Sequence, residues 1–146
     1  MIALDTNILI YGMIEAQDPK HFLALELIEQ LAIAQVIIPL PVFGEFLNAC
    51  RKRKLMPSDE AQNCCRLWTD VYDCPSAIFP DYVGAARASA RYNFQYFDAL
   101  ILVISRRAGA TMLLSEDMHD GLVIDGLTIV NPFVAGNDAQ IAAALG

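Results

Sequence analysis

The sequence has no apolar run long enough to cross a bilayer. A membrane-spanning helix needs about 20 predominantly apolar residues, whereas Pro39 and Pro41 interrupt the longest candidate and Asp98 interrupts the next. No Lys or Arg precedes Lys20, and Asp5 lies where a signal peptide would begin its apolar segment. We therefore expect a cytoplasmic protein with no membrane partner.

The sequence also lacks the cysteine and histidine spacings of a structural zinc site. No two of its four cysteines are separated as Cys-x-x-Cys, and its two histidines, His21 and His119, are far apart. With 146 residues, of which 55% are hydrophobic, the chain can bury a core without disulfides. We interpret the cysteines as buried thiols of a reducing compartment.

Positive charge is scarce, with 10 Lys and Arg against 17 Asp and Glu and a formal net charge of −7. A surface that attracts nucleic acid everywhere would need the opposite balance, so any polyanion must bind locally. The acidic excess either keeps the protein soluble or is partly concentrated in a cleft that needs cations. Composition does not decide between these two explanations.

Short aliphatic runs alternate with helical patterns along the chain. Strands are predicted at residues 2–4, 36–38, 77–79, 112–114 and 127–130, and the segments between them follow helical spacing, for example at 81–91 and 97–108. This alternation predicts an α/β fold whose parallel sheet is covered on both faces. Residues 1–146 form one predicted domain, in which residues 136–146 are a C-terminal tail outside the core.

Three acidic residues stand in apolar surroundings. Asp5 ends the first predicted strand, Glu45 lies on the apolar face of its helix, and Asp98 interrupts an apolar helix. Burying an isolated carboxylate costs several kcal/mol or forces protonation, so each needs a partner. Together with Asp117, which follows a later strand, they are predicted to meet at the sheet edge where α/β proteins build sites.

Each acid also has an ordinary structural explanation. Asp98 could cap its helix, Asp117 could be a loop acid, and Asp5 could form an Asx-turn. Glu45 is the hardest to explain this way, and the four together favour a site. Carboxylate oxygens select Mg²⁺ or Mn²⁺ over zinc. A divalent ion held by carboxylates suits phosphodiester hydrolysis, because it neutralises the phosphate and lowers the pKa of a bound water.

Four ordered segments resemble the PIN-domain family, and most closely its VapC-like toxin branch. They are residues 2–9 (IALDTNIL), 41–46 (PVFGEF), 97–101 (FDALI) and 114–118 (LSEDM). The resemblance spans the chain to about residue 133. It implies a three-layer α/β/α sandwich with a central parallel sheet, and a Mg²⁺- or Mn²⁺-dependent endoribonuclease.

The resemblance also implies roles for individual residues. The acids that hold metal or act in catalysis are, by analogy, Asp5, Glu45, Asp98 and Asp117. Among them Glu45 would orient or deprotonate the attacking water, and either Glu116 or Asp120 is close enough in sequence to replace Asp117. Small polar residues would support the acids through hydrogen bonds: Thr6, Asn7 and Ser115.

Partners follow from the same resemblance. It implies a toxin that is inhibited by a cognate antitoxin inserted near the acids, and a homodimer. Ile10, Met13 and Ile14 could form an antitoxin groove, although core packing explains them equally well. The residues that could contact RNA phosphates are basic: Arg51, Lys52, Arg53, Arg87 and Arg91. Cations also favour helix C-termini, which explains the first three without RNA.

Two other functions compete with RNA hydrolysis. Asp5 could be the nucleophile of an aspartyl-phosphate phosphatase, but Asn7 stands where a second acid is expected and no partner lysine is evident. The chain could also be an inactive module that binds RNA or a protein partner. The four intact acids make this second alternative less attractive.

Overall fold

The computed structural model describes residues 1–13 and 18–146, so Ile14 of the predicted groove lies outside the described residues. These residues form five strands and seven helices. In chain order they are β1 (Ile2–Leu4), α1 (Thr6–Met13), α2 (Pro19–Leu31), β2 (Val36–Ile37), α3 (Leu40–Lys52), α4 (Ser58–Val71), α5 (Phe79–Tyr92), α6 (Tyr96–Arg107), β3 (Met112–Leu114), β4 (Val123–Ile124), β5 (Leu127–Val130) and α7 (Asn137–Leu145). Within the described part of the chain, no helix combines the length and apolar character that crossing a bilayer requires.

The strands form one sheet in the order β2-β1-β3-β5-β4. Neighbours pair in parallel except β4, which runs antiparallel to β5 at the edge. Leu4 pairs with Leu114 and Leu114 with Val130, so the C-terminal ends of β1, β3 and β5 lie side by side. Every residue of β1 and β3 is buried, as expected for strands covered on both faces. The fold is the α/β/α sandwich that the sequence predicted.

The strand order reverses at β1. The chain leaves β1 through α1 and α2 to reach β2 on one side, and returns through α3 to α6 to β3 on the other. Because crossovers between parallel strands are right-handed, the two connections lie on opposite faces of the sheet. The crevice at the C-terminal ends of β1 and β3 is therefore the switch point at which α/β proteins bind ligands.

Two buried clusters hold the helices around this crevice. The main core includes the buried apolar stretch 99–104 of α6. A second cluster lies between α3 and α4, where the Phe46 ring packs edge-to-face on Trp68 with centroids 4.9 Å apart. Burying a Phe side chain stabilises a fold by roughly 1.5–3 kcal/mol. Phe46 therefore fixes the position of its neighbour Glu45.

The strand predicted at residues 77–79 is wrong. Pro80 suits the first helical turn, and Asp81 accepts a hydrogen bond from the backbone before it, so α5 already begins at Phe79. The segment after α4 instead covers the exposed edge beside β2, where the amide of Ile38 donates to the carbonyl of Asp73 at 3.0 Å.

Two elements in the last quarter of the chain, β4 and α7, differ from the sequence prediction. The short edge strand β4 was not predicted. The expected tail, residues 136–146, contains α7, and Ile141 is only 3% exposed within the main core. This segment contributes to the core, contrary to expectation.

Candidate active site

Four carboxylates from distant segments line one cavity of about 610 Å³. Asp5 directly follows β1, and Asp117 lies in the loop after β3. Glu45 is in the second turn of α3, and Asp98 is the third residue of α6. The structure thus brings together, at the switch point of the sheet, the four acids that the sequence singled out.

Asp5 is the most enclosed of these acids, at 2% exposed. One carboxylate oxygen accepts from the amide of Thr6 at 2.7 Å, and the other accepts from the Ser115 hydroxyl at 2.6 Å. Burial raises the pKa of Asp5 to about 6; its two hydrogen bonds oppose this rise, while the charges of Glu45 and Asp117 add to it. The cluster therefore holds more negative charge than its own hydrogen bonds compensate.

The first two residues of α1 connect Asp5 to the other acids. The Thr6 hydroxyl donates to a carboxylate oxygen of Glu45, and the Asn7 amide donates to a carboxylate oxygen of Asp117. The amide of Thr6 also donates to Asp5, so Thr6 and Asn7 together donate to three of the four acids. Such bonds fix the orientation of carboxylates that could bind a ligand.

Asp98 is the acid whose negative charge is least stabilised by hydrogen bonds. Half-burial raises its pKa to about 7, and the charges of Asp5, Glu45 and Asp117 add to this rise. Unlike Asp5 and Asp117, its carboxyl has no hydrogen bond that lowers its pKa among the described residues. A cation in the cavity would relieve this repulsion.

The two acids that could have replaced Asp117 are engaged elsewhere. Glu116 pairs with Lys20, and Asp120 accepts from the amide of Asn131 at 2.8 Å. Neither lines the cavity, whereas Asp117 does. Partial desolvation and the charge of Glu116 raise the pKa of Asp117, against the opposing effects of Asn7 and Lys20.

The chemistry of the cavity fits a hydrated hard cation. Within residues 1–13 and 18–146, no three His, Cys, Asp or Glu side chains are already closed around a point where a metal ion would sit. Mg²⁺ does not require such a cage, because it keeps several waters and takes only one or two carboxylates. An all-oxygen acid set with uncompensated charge suits an ion of this kind, and Asp5, Asp98 and Asp117 are the residues that could hold it, directly or through its waters.

The basic candidates divide into two groups. Lys52 and Arg53 line the cavity about two turns beyond Glu45, at the C-terminal end of α3, whereas Arg51, Arg87 and Arg91 do not line it. Arg91 instead lies 5.3 Å from the ring of its neighbour Tyr92.

Several lining residues were missed by sequence reasoning. Asn48 is three positions after Glu45, so helical spacing could have placed it on the same face. The segment 93–95 directly precedes the helix of Asp98, but no local pattern distinguishes it from an ordinary loop. The complete set of additional lining side chains is Ile10, Asn48, Ala49, Asn93, Phe94, Gln95 and His119.

Fold and site together define an α/β protein with an acidic cleft at the switch point of a parallel sheet. The family model of the PIN domain matches residues 2–119 of this chain. The chain belongs to the PIN-domain family. None of the curated proteins compared with it matches its sequence.

Solved structures show the same fold at low sequence identity. The Mycobacterium tuberculosis VapC20, a sarcin-ricin loop cleaving toxin, is similar at 20% identity and a TM-score of 0.64, over 80% of this chain and 90% of that chain. A toxin-antitoxin complex from Klebsiella pneumoniae is similar at 19% identity and 0.66, over 91% and 98%. FitAcB from Neisseria gonorrhoeae is similar at 12% identity and 0.59, over 91% and 99%.

Proposed function

We propose that this protein is a Mg²⁺- or Mn²⁺-dependent endoribonuclease that hydrolyses RNA phosphodiester bonds, and that it is the toxin of a toxin-antitoxin pair. The observation that carries the proposal is the meeting of four carboxylates from separate segments around one cavity. Similarity to VapC20, a sarcin-ricin loop cleaving toxin, supports RNA as the substrate class.

Each acid has a distinct role in this proposal. Asp5, Asp98 and Asp117 hold the ion, and Ser115 and Asn7 keep two of these carboxylates oriented. When bound, the ion supplies charge neutralisation at the phosphate and an acidified water. Glu45, held by Thr6, orients the attacking water and accepts its proton.

The competing functions have weaker support. For an aspartyl-phosphate phosphatase with Asp5 as the nucleophile, a second acid is expected two residues later. Asn7, in the place of the second acid, donates to Asp117. Lys52 lines the cavity and is the one feature that favours a phosphatase. An inactive binding module would have no need for four mutually repelling carboxylates.

Partners belong to the same proposal. Similarity to a toxin-antitoxin complex supports a cognate antitoxin, and we expect a homodimer. Ile10 lines the cavity beside the acids, and Met13 is exposed at the end of the same helix. An antitoxin segment that packed beside Ile10 would lie next to the carboxylates.

Cleavage of RNA by the purified protein tests this function. We expect cleavage with Mg²⁺ or Mn²⁺ and none with excess EDTA. Asp98→Asn should lower the cleavage rate by at least about a hundredfold, because several kcal/mol of charge stabilisation depend on the ion. Expression of the wild-type chain, but not of this variant, should arrest growth, and co-expression of the antitoxin should restore it.

A matched control distinguishes the loss of a carboxylate in the site from the loss of one negative charge elsewhere. Asp70→Asn removes an exposed carboxylate on α4 outside the cavity and should retain full activity. Cleavage that persists in EDTA would contradict the proposal. Absence of Mn²⁺ binding, measured as an unchanged melting temperature, would favour the inactive module.

A further inference from the structure

The cavity has a second half that the proposed chemistry does not use. This half is lined by residues 93–95 and by His119. Asn93, Gln95 and His119 are exposed, while Phe94 between the two amides is buried. Two amide side chains and one imidazole therefore face solvent around a buried aromatic ring.

This half is held in place by contacts below it. The Phe94 ring stacks on Tyr92 at 5.7 Å and meets the His119 ring edge-to-face at 5.1 Å. The Ser89 hydroxyl donates to the Phe94 carbonyl at 2.6 Å. The loop is thus fixed from both its side chain and its backbone, so the surface is preorganised rather than formed on binding.

We propose that Asn93, Gln95 and His119 form a subsite for one unpaired nucleobase next to the scissile phosphate. This inference rests on the proposed function. The imidazole supplies a flat face on which a base stacks, and each amide both donates and accepts, as the edges of bases require. An exposed imidazole beside two exposed amides offers both a stacking face and hydrogen-bonding groups suited to the edge of a base.

Charge and size favour an unpaired nucleotide over a double helix. Recognition of double-stranded RNA spans about 16 base pairs and relies on phosphate and 2′-hydroxyl contacts. Lys52 and Arg53 are the only cations among the described residues that line this cavity, in a chain of net charge −7. Its volume of about 610 Å³ falls within the range of pockets for small ligands, roughly 300–1,000 Å³.

The stacking part is tested with RNA oligonucleotides that differ only at the nucleotide beside the cut, including one without a base. His119→Ala should lower kcat/KM about tenfold or more on substrates with the base, the usual effect of losing one base-aromatic stack. It should have no effect on the abasic substrate. His119→Phe, which keeps a flat ring, should remain within about threefold of the wild type.

The amide part is tested by base preference. Asn93 has a left-handed backbone (φ 57°), so Asn93→Gly removes the amide at a position that glycine adopts readily. Gln95 makes no side-chain capping bond to α6, so Gln95→Ala spares the helix. Each variant should reduce the ratio of kcat/KM between the preferred base and the others about tenfold. Gln140→Ala, an exposed amide on α7, is the matched control and should leave the ratio unchanged.

Two kinetic outcomes would overturn the subsite. One is an equal loss in His119→Ala on abasic and normal substrates; the other is His119→Phe as slow as His119→Ala. Binding to the Asp98→Asn variant, measured by fluorescence anisotropy, separates this inference from the proposed function. RNA bound with the same affinity with and without the base would overturn the subsite alone. Failure of the wild type to cleave any RNA, with base-dependent binding retained, would contradict only the nuclease.

Discussion

Asp98 illustrates how a single residue can trade stability for a binding site. Its pKa of about 7 lies above the ordinary 3.8, so between these values the folded protein keeps a proton that the unfolded chain releases. The free energy of unfolding therefore falls as the pH rises through this window. The carboxylate destabilises the metal-free fold at neutral pH and above.

Asp98→Asn should therefore stabilise the metal-free protein. In EDTA at pH 8 we expect its free energy of unfolding to exceed that of the wild type by about 1–2 kcal/mol, a value reduced for the half-exposed position. The difference should vanish as the pH falls toward 3.8. Chemical denaturation across this pH range measures it.

Added Mn²⁺ should reverse the order, because an ion that binds only the folded state stabilises it in proportion to its affinity. Asp70→Asn, on the exposed face of α4, should change stability by no more than about 0.5 kcal/mol at any pH. A lower stability for Asp98→Asn than for wild type in EDTA at pH 8 would show that its carboxylate is not under repulsion.

At the scale of elements, one ion pair joins the start of α5 to the end of α6. Arg107 donates from Nε to both oxygens of Asp81, at 3.0 and 3.1 Å, and from Nη2 to one of them at 2.8 Å and to the carbonyl of Ser76 at 2.6 Å. Burial alone would raise the pKa of Asp81, but Arg107 and the amide of Ile78 lower it below 3.8. The pair anchors the helix that carries Asp98.

Asp81→Asn should lower the free energy of unfolding by about 1–3 kcal/mol at pH 7, since it removes the charge of a carboxylate that is only 2% exposed and that accepts hydrogen bonds from Arg107 and from the amide of Ile78. Because the folded pKa is depressed, this contribution is complete above 3.8 and is lost as the pH falls through the folded value. The denaturation curves of wild type and Asp81→Asn should therefore differ at pH 7 and converge at acid pH.

Arg106, the neighbour of Arg107, provides the control. Arg106 pairs with Asp125 on the surface, where ion pairs contribute about 0–1 kcal/mol. Arg106→Ala should therefore cost little at either pH. If Arg106→Ala and Asp81→Asn were equally destabilising, burial of the Asp81 pair would not be the reason for its strength.

Most of the elements could be predicted because their signals are local. The buried aliphatic runs of β1, β3 and β5 and the proline at the start of α2 each announce an element within a few residues. The strand predicted at 77–79 failed because aliphatic residues also precede helices. The hairpin of β4 and β5 did have a sequence signal, the dipeptide Asp125-Gly126, which favours a type I′ turn. Both residues adopt the positive φ of the two central residues of such a turn.

The site was predictable only in part. Asp5, Glu45 and Asp98 stand out because a carboxylate among apolar neighbours is costly. Whether Glu116, Asp117 or Asp120 completes the set depends on contacts across the fold: the cavity for Asp117, and Lys20 and Asn131 for the other two. The role of residues 93–95 likewise depends on where the loop before α6 lies in space.

At the scale of the whole molecule, the fold delivers an acidic centre into an acidic protein. The reversal of strand order at β1 directs segments from four distant parts of the chain to one crevice. In the proposed function, repulsion of RNA by a net charge of −7 would be offset locally, by the cation and by Lys52 and Arg53. Binding should accordingly involve few phosphate contacts.

The salt dependence of RNA affinity tests this picture. Each phosphate of a single strand that a protein neutralises contributes about −0.7 to the slope of log K against log salt. With two cations at the cavity, Asp98→Asn at fixed Mg²⁺ should bind single-stranded RNA with a slope of about −1.4. Lys52→Ala or Arg53→Ala in this background should each reduce its magnitude by about 0.7.

Arg87→Ala and Arg91→Ala serve as matched changes of charge outside the cavity. They alter the net charge by the same amount as the cavity variants, so a general electrostatic attraction would respond equally to all four. Binding that depends on local phosphate contacts responds only to Lys52 and Arg53. A slope several times steeper, or one reduced by the Arg87 and Arg91 variants, would mean that RNA runs well beyond the cavity along α5.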